Sequence, residues 1–549
     1  MSASGTREVF ANVTLSDHCR ELAGAMPDEL ATDGPGFRCT HAQLQERADA
    51  FAAALQRAGM GKGDRIAVWL PNCVEWIALL LAASHLGMTI VALNMRYKLE
   101  EVQYILRHSG ASMLIMAAKS AKTDYLEILQ SMLPELGASA SPTNAAFEKL
   151  RHVVLLSPDE RMPSLETLKD PAWTTAATPS PTSVGANDAL VVLYTSGTTS
   201  APKGVMVRES SLLANAAFLS KWMGLRRDDR ILLLSPFCGI YGINALIAAL
   251  VMGATSILSE TTDPEITLDL IEHERVSALG GTLDAILRPW GQSQLRRPRN
   301  ISRLRSRIVP VAWMQGDPTV EMPIVEEALG IQLVHTYGLS EATAMSLLGD
   351  PRETPAQRHS GRIVPIDPAV EVKVAPAITD NPDESEKGEL CLRGPLIMSG
   401  YLDDPAATRA AIDEDGWLHT GDFAYRFPDG AVRYDGRIKD IVKISGYSVS
   451  PAEIEHFLSS HPDISEIQVV GVRGGDGLDR IAAFVVPKPG ARVDRDSIAA
   501  YCEGRIATFK IPTIVRSVSE FPIAPSANAD KVQKRFLRDL LLNELGGGA

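Results

Sequence analysis

Paired cysteines are missing from this chain. Its six cysteines (Cys19, Cys39, Cys73, Cys238, Cys391 and Cys502) are scattered, with no Cys-x-x-Cys spacing. That disfavours a zinc module or a disulfide framework and fits a reducing compartment. Met1 to Val13 lack the basic-then-apolar order of a secretory signal. Long hydrophobic runs are also lacking. The longest, Ile77–Leu86 and Ile243–Leu258, fall short of the roughly 20 residues of a membrane span and read as buried helices. Nor is there an excess of positive charge: the net charge is -13. Repulsion from phosphate disfavours nucleic acid as a partner. A cytoplasmic enzyme acting on small molecules is the expectation.

With 549 residues, the chain exceeds what one hydrophobic core supports, so at least two domains are expected. Hydrophobic residues make up 45% and charged residues 22%, an ordinary globular composition. The charge is uneven. From Lys439 to the end, 14 Lys/Arg balance 14 Asp/Glu, so the acidity lies upstream and a large anionic cofactor meets less repulsion at the C-terminal part. In the first third, apolar runs at Arg65–Leu70, Thr89–Leu93 and Ser112–Met116 alternate with helical patterns at Trp76–Leu86 and Leu99–Arg107. Such alternation predicts a parallel sheet built from βαβ units. Gly137–Asn144 and Trp173–Gly185 read as loops. A β-rich stretch includes Glu389–Arg393 and Ala431–Tyr434. The last hundred residues read as a small α/β unit, with helices at Pro451–Ser459 and Ser497–Arg505 and strands at Ile464–Val472 and Ile481–Val486.

The chemistry starts at Tyr194-Thr195-Ser196-Gly197-Thr198-Thr199-Ser200-Ala201-Pro202-Lys203-Gly204. An apolar strand runs into a loop of hydroxyls and glycines that ends in a lysine. Small residues let backbone N–H groups converge on phosphate oxygens, hydroxyls add donors, and the lysine adds charge. The spacing is not that of a P-loop. The loop resembles the phosphate-binding signature of the adenylate-forming superfamily, which includes acyl- and aryl-CoA synthetases, luciferases and peptide-synthetase adenylation domains. Here Ser200 stands where that signature has Gly.

Further resemblances follow in the family's order, from about Leu15 to Leu540. Tyr337-Gly338-Leu339-Ser340-Glu341 resembles the motif whose aromatic ring stacks on adenine, whose hydroxyl meets phosphate and whose glutamate helps hold Mg2+, a hard cation that takes oxygen ligands. Thr420-Gly421-Asp422 and Gly436-Arg437-Ile438-Lys439-Asp440 resemble the two motifs whose aspartate and arginine reach the ribose. Lys439 falls at the family's hinge. Ile444 to Glu455 resembles the segment that forms the thiol tunnel, with Gly446 against pantetheine and Tyr447 beside it. The same segment also reads as a capping box, with Ser450 as N-cap and Glu453 as its partner. Lys531 is the counterpart of the lysine that neutralises charge as the carboxylate attacks the α-phosphate. Lys443, Arg473 and Lys510 are candidate partners for the coenzyme A phosphates, chosen for their charge and their place in the C-terminal part.

Three segments depart from the pattern. In Ser235-Pro236-Phe237-Cys238-Gly239-Ile240-Tyr241-Gly242, Cys238 and Gly239 stand where the family commonly has an aromatic residue and His, which predicts a widened acyl pocket beside Tyr241. In Trp313-Met314-Gln315-Gly316-Asp317-Pro318, Gln315 and Asp317 are bulkier than usual in the run that lines the adenine and acyl pockets; Asp317 would repel phosphates unless it faces away. Asp530 replaces the usual Gly before Lys531.

The resemblance implies a mixed α/β fold. Its large N-terminal domain, residues 1–437, has stacked sheets with helices and a β-barrel-like part. A small mobile α/β domain, residues 438–549, follows the hinge. The implied activity is that of an AMP-forming acyl-CoA ligase, using ATP, Mg2+ and coenzyme A on a bulky carboxylic acid. One alternative is a ligase that only converts a supplied acyl-adenylate, made by a separate adenylating enzyme, to its thioester. Another is a nucleotide-binding pseudoenzyme, against which the joint presence of Lys203, Glu341, Asp422, Arg437 and Lys531 speaks.

Overall fold

The structure is a computed structural model. It describes residues 13–34, 36–120, 123–137, 145–180, 182–195, 202–259, 261–304, 308–313, 317–376, 387–444, 447–473, 478–524 and 531–544. The mixed α/β fold expected from the sequence is present. Arg65–Trp69, Thr89–Ala92, Met113–Met116, His152–Leu155 and Ala189–Thr195 lie parallel in an eight-stranded sheet. They read as unbroken apolar runs because a parallel sheet covered on both faces buries both rows of side chains. The helix Val74–Leu86 is apolar all round and buried, as a helix held between layers must be. It ends at Gly87 in the left-handed conformation. The second long apolar run is a helix, Ile240–Met252, and a strand, Thr255–Leu258, separated by Gly253 with φ 64°. Glycine closes the helix there because a side chain at that φ is strained.

Two five-stranded sheets complete the N-terminal body. One runs Ala278–Leu279, Arg230–Leu233, Thr255–Leu258, Leu30–Asp33, Cys39–Thr40; the other runs Thr282–Leu283, Ile308–Ala312, Gln332–Leu339, Ala344–Leu348, Val364–Pro365. The β-rich stretch is an antiparallel sheet of Glu371–Pro376, Lys387–Arg393, Leu418–Arg426 and Val432–Arg437, and Val432 also bridges to Ile363. Beyond Val449 the apolar cores share no residue with those before it. The helices Pro451–Leu458, Arg495–Cys502 and Lys534–Glu544 pack with the sheet Ile464–Arg473, Asp479–Pro487, Ile514–Ser517.

The two bodies meet at the helix Pro451–Leu458. At its start, the Ser450 hydroxyl donates to the Asp435 carbonyl. Gly436 (φ 117°) lies beneath, and a Cβ there would sit 3.3 Å from Ser450 Oγ. Only half of the expected capping box forms. Ser450 accepts from the Glu453 amide at 3.4 Å, but the Glu453 carboxylate turns to Lys510. A full positive charge outcompetes a single backbone N–H for that carboxylate.

Candidate active site

Register builds the first corner of the site. In the antiparallel pair Leu418–Arg426 and Val432–Arg437, Asp422 lies directly opposite Arg437. Arg437 Nε reaches Asp422 Oδ1 at 2.9 Å, and its Nη1 donates to the Thr420 carbonyl at 3.2 Å. The other carboxylate oxygen, Oδ2, accepts from the Tyr337 hydroxyl at 2.6 Å. Burial, reinforced by Asp422, pushes the Tyr337 phenol well above its ordinary value and keeps it a donor. The Tyr337 ring lies 5.9 Å from the exposed ring of Tyr434. A buried carboxylate flanked by an arginine and two aromatic rings suits a group bearing hydroxyls next to a flat base.

The second corner lies at the other end of the same motif. Gly338 pairs with Met345, just after a register shift at Tyr337, and a Cβ added to it would come within 1.5 Å of the Ala344 carbonyl oxygen. Glycine is required there. Ser340–Ala342 is one 3-10 turn, followed by Thr343 and Ala344 at φ 50° and 67°. Two consecutive non-glycine residues in the left-handed region are strained. They are held in place by the buried Thr343 hydroxyl, which donates to the Leu396 carbonyl at 2.7 Å. This turn presents Glu341, whose Oε1 accepts from the Tyr401 hydroxyl at 3.0 Å. Lys203 Nζ lies 4.9 Å from the centre of the Tyr401 ring. A cation, a phenol and a carboxylate are thus brought together around Lys203. The set is suited to phosphates and to a hard cation bridging them.

The third corner is the expected acyl wall. Phe237 packs on Trp76 at 5.4 Å, Cys238 is buried, and Gly239 caps the helix Ile240–Met252. Burial pushes the Cys238 thiol up to about 11. It pushes the Tyr241 phenol up to about 12, with the nearby Thr336 side chain acting in the opposite direction. Tyr241 thereby stands beside the residue that precedes Tyr337.

Asp317, expected to trouble the phosphates, points elsewhere. It caps the helix Pro318–Leu329, accepting from the Thr319 amide at 2.9 Å. Its Oδ2 accepts from the Ser460 hydroxyl at 3.1 Å, and its Oδ1 lies 3.7 Å from His456 Nε2. Burial works against the charge, but the Thr319 hydrogen bonds outweigh it and hold the carboxyl below its ordinary value. This contact spans the two bodies and edges a cavity of about 290 Å³, also lined by Phe457, Arg505 and Lys510.

Other expected residues stand apart. Lys439, in the turn Ile438–Asp440, is exposed. Partial desolvation of its ammonium lowers it from its ordinary value, opposed by Asp440. Lys510 is paired with Glu453, and Arg473 is exposed, 3.9 Å from Asp479. Ser196, Gly197, Thr198, Thr199, Ser200, Gln315, Gly316, Gly446 and Asp530 lie outside the described residues, as do the side chains of Lys443, Tyr447 and Lys531. Sequence reasoning missed Tyr401 and Tyr434. Tyr401 belongs to a two-residue strand, paired with Val205 from far upstream. Its Gly-Tyr pair carries no periodic signal.

Residues 19–402 match the family described as AMP-binding enzyme, and residues 453–528 match the AMP-binding enzyme C-terminal domain. The chain belongs to this family of AMP-forming ligases. It is 33% identical, over 94% of its length and 97% of the relative's, to the 3-[(3aS,4S,7aS)-7a-methyl-1,5-dioxo-octahydro-1H-inden-4-yl]propanoyl:CoA ligase of Mycobacterium tuberculosis (strain ATCC 25618 / H37Rv). It is 29% identical, over 98% of its length and 89% of the relative's, to the mitochondrial medium-chain acyl-CoA ligase ACSF2 of Bos taurus. The ATP-bound structure of MatB from Rhodopseudomonas palustris superposes with a TM-score of 0.80 at 25% identity, covering 97% of this chain and 100% of that one. The chain is an acid–thiol ligase that uses ATP and coenzyme A on a carboxylic acid. Among the described residues, no helix is long and apolar enough to cross a membrane.

Proposed function

We propose that this ligase carries out both half-reactions on a bulky, ring-bearing carboxylic acid. The observation that carries this reading is a continuous set of contacts. Lys203, Tyr401 and Glu341 form one end, and Tyr337, Asp422 and Arg437 form the other. They are bound together by the short Tyr337–Glu341 segment.

In the first half-reaction the acid's carboxylate attacks the α-phosphate of ATP and pyrophosphate leaves. Thr195, Ser196, Gly197, Thr198, Thr199 and Lys203 cradle the phosphates, with Ser340 adding a hydroxyl. Tyr337, Gly338 and Gly316 flank the adenine, and Asp422 with Arg437 holds the ribose. Lys531 offsets the charge growing on the α-phosphate. Glu341 is a hard oxygen donor steadied by Tyr401 and fits Mg2+, which would supply charge neutralisation of the phosphates. In the second, the domain 438–549 turns about Lys439 against the domain 1–437. The coenzyme A thiol, entering past Gly446 and Tyr447, then attacks the acyl carbonyl and AMP leaves. Lys443, Arg473 and Lys510 meet the cofactor's phosphates; Lys510 would first leave Glu453.

The bulky acid is supported by Cys238 and Gly239, and by the bicyclic acid in the mycobacterial relative's name. Retained adenylation is supported by Asp317, whose charge is taken up by Thr319 and Ser460. A cytoplasmic setting fits the six free, buried cysteines.

The test gives the enzyme coenzyme A and Mg2+ and follows thioester by mass spectrometry. One arm receives ATP with short, long-chain and polycyclic acids, the other the matching acyl-adenylates. Thioester in both arms, greatest with the polycyclic acids, is expected. Thioester from adenylates alone would mean that adenylation belongs to a separate enzyme. A profile peaking at acetate would remove the bulky-acid reading.

A further inference from the structure

Behind the ribose corner, three side chains of different chemistry converge. Cys391 and His419 are direct cross-strand partners in the antiparallel pair Lys387–Arg393 and Leu418–Arg426. Glu389, two residues before Cys391, shares that face because strand side chains alternate. Cys391 Sγ lies 3.7 Å from His419 Nδ1, and Glu389 Oε2 lies 2.8 Å from the same nitrogen. All three donor atoms fall within 4.8 Å of one another.

We infer that Glu389, Cys391 and His419 form a binding site for a thiophilic divalent cation of the zinc type. Bonds of about 2.3 Å to sulfur and 2.0–2.2 Å to nitrogen or oxygen, at tetrahedral angles, put ligand atoms roughly 3.3–3.6 Å apart. The sulfur–nitrogen pair already stands near that separation, and the Glu389 oxygen, 2.8 Å from the ring nitrogen, has to open by about half an ångström. The second shell is in place as well. His419 Nε2 faces Asp413 Oδ2 at 3.3 Å, the carboxylate–imidazole pairing that turns the other ring nitrogen toward a metal. Glu389 keeps its second oxygen on the Gly421 amide at 3.0 Å, so it can bind through Oε2 without releasing the ribose strand. Glu389 and His419 are half-buried and Cys391 is buried beneath them, which leaves a solvent-side path of entry and a fourth position for water. Binding releases the thiol proton and any proton on Nδ1 to solvent. The ligands come from two strands, so no Cys-x-x-Cys spacing announces them.

The test titrates the full chain with Co2+, a spectroscopic stand-in for zinc. The native chain is expected to bind one equivalent with a sulfur-to-cobalt charge-transfer band in the near ultraviolet. That band should disappear in Cys391→Ser and in Cys391→Ala, and affinity should fall at least tenfold in His419→Gln. Circular dichroism and nucleotide binding show that each variant is folded; two Cys391 variants guard against one of them misfolding. No charge-transfer band in the native chain, or a band that survives in folded Cys391→Ser, overturns the assignment and leaves the three groups as a structural charge cluster.

Discussion

Glu209 lies at the start of the helix Glu209–Met223 and is 2% exposed. Its Oε1 accepts from the Leu15 amide and from the Ser84 hydroxyl, each at 2.6 Å. These bonds tie the first described helix to the core. Burial pushes the carboxyl from 4.5 up to about 7; the two hydrogen bonds oppose it, and Asp17 and Asp188 add to it. The protonated form is therefore favoured in the folded state. Its contribution to stability is full below the unfolded value near 4.5 and is lost as pH rises through 7. At about 1.4 kcal/mol per pH unit, the interval is worth about 3 kcal/mol. Glu209→Gln keeps an acceptor oxygen for both donors and removes the charge. The stability gap, variant minus parent, should grow by about 2 kcal/mol between pH 5.5 and 7 and then level off. Urea unfolding of both proteins across pH 5.5–8.5 measures it. A gap that is constant with pH, or that narrows as pH rises, would refute the reasoning.

Asp422→Asn leaves Arg437 without its carboxylate and weakens the proposed ribose contacts; hydrogen bonds to a charged group are worth about 1.5–3 kcal/mol, so calorimetry should show ATP binding weakened roughly 10- to 100-fold. Tyr401→Phe removes the donor to Glu341, and the rate of acyl-adenylate formation should fall about tenfold with folding intact, read by pyrophosphate release. Gly338→Ala forces a methyl onto the Ala344 carbonyl oxygen; the loss should exceed the roughly 1–3 kcal/mol of ordinary overpacking, seen as a lowered melting temperature with lost ATP binding. Asp317→Ala removes a helix cap and the Ser460 contact, lowering stability by about 1 kcal/mol while adenylation is kept; a faster adenylation step would instead show that its charge does reach the phosphates.

The parallel strands were legible because burial on both faces writes itself as an unbroken apolar run, as in Arg65–Trp69. The motifs Thr420-Gly421-Asp422 and Gly436–Asp440 were legible as two separate strings, but nothing local places Asp422 opposite Arg437; strand register does that. Tyr401 was invisible because its role rests on a two-residue strand pairing across nearly 200 residues of chain. Asp317 had a local signal: an Asp before Pro318 and Thr319 is a helix cap, and a capping carboxylate is held on the helix by the backbone N–H it accepts from. Glu453 shows the opposite failure. Its local rule points back to Ser450, and Lys510, brought in by the tertiary fold, takes the carboxylate instead. Local patterns hold where the nearest partner is also the strongest one. They fail where the fold brings up a full charge, and the strands and turns around the nucleotide site concentrate such charges.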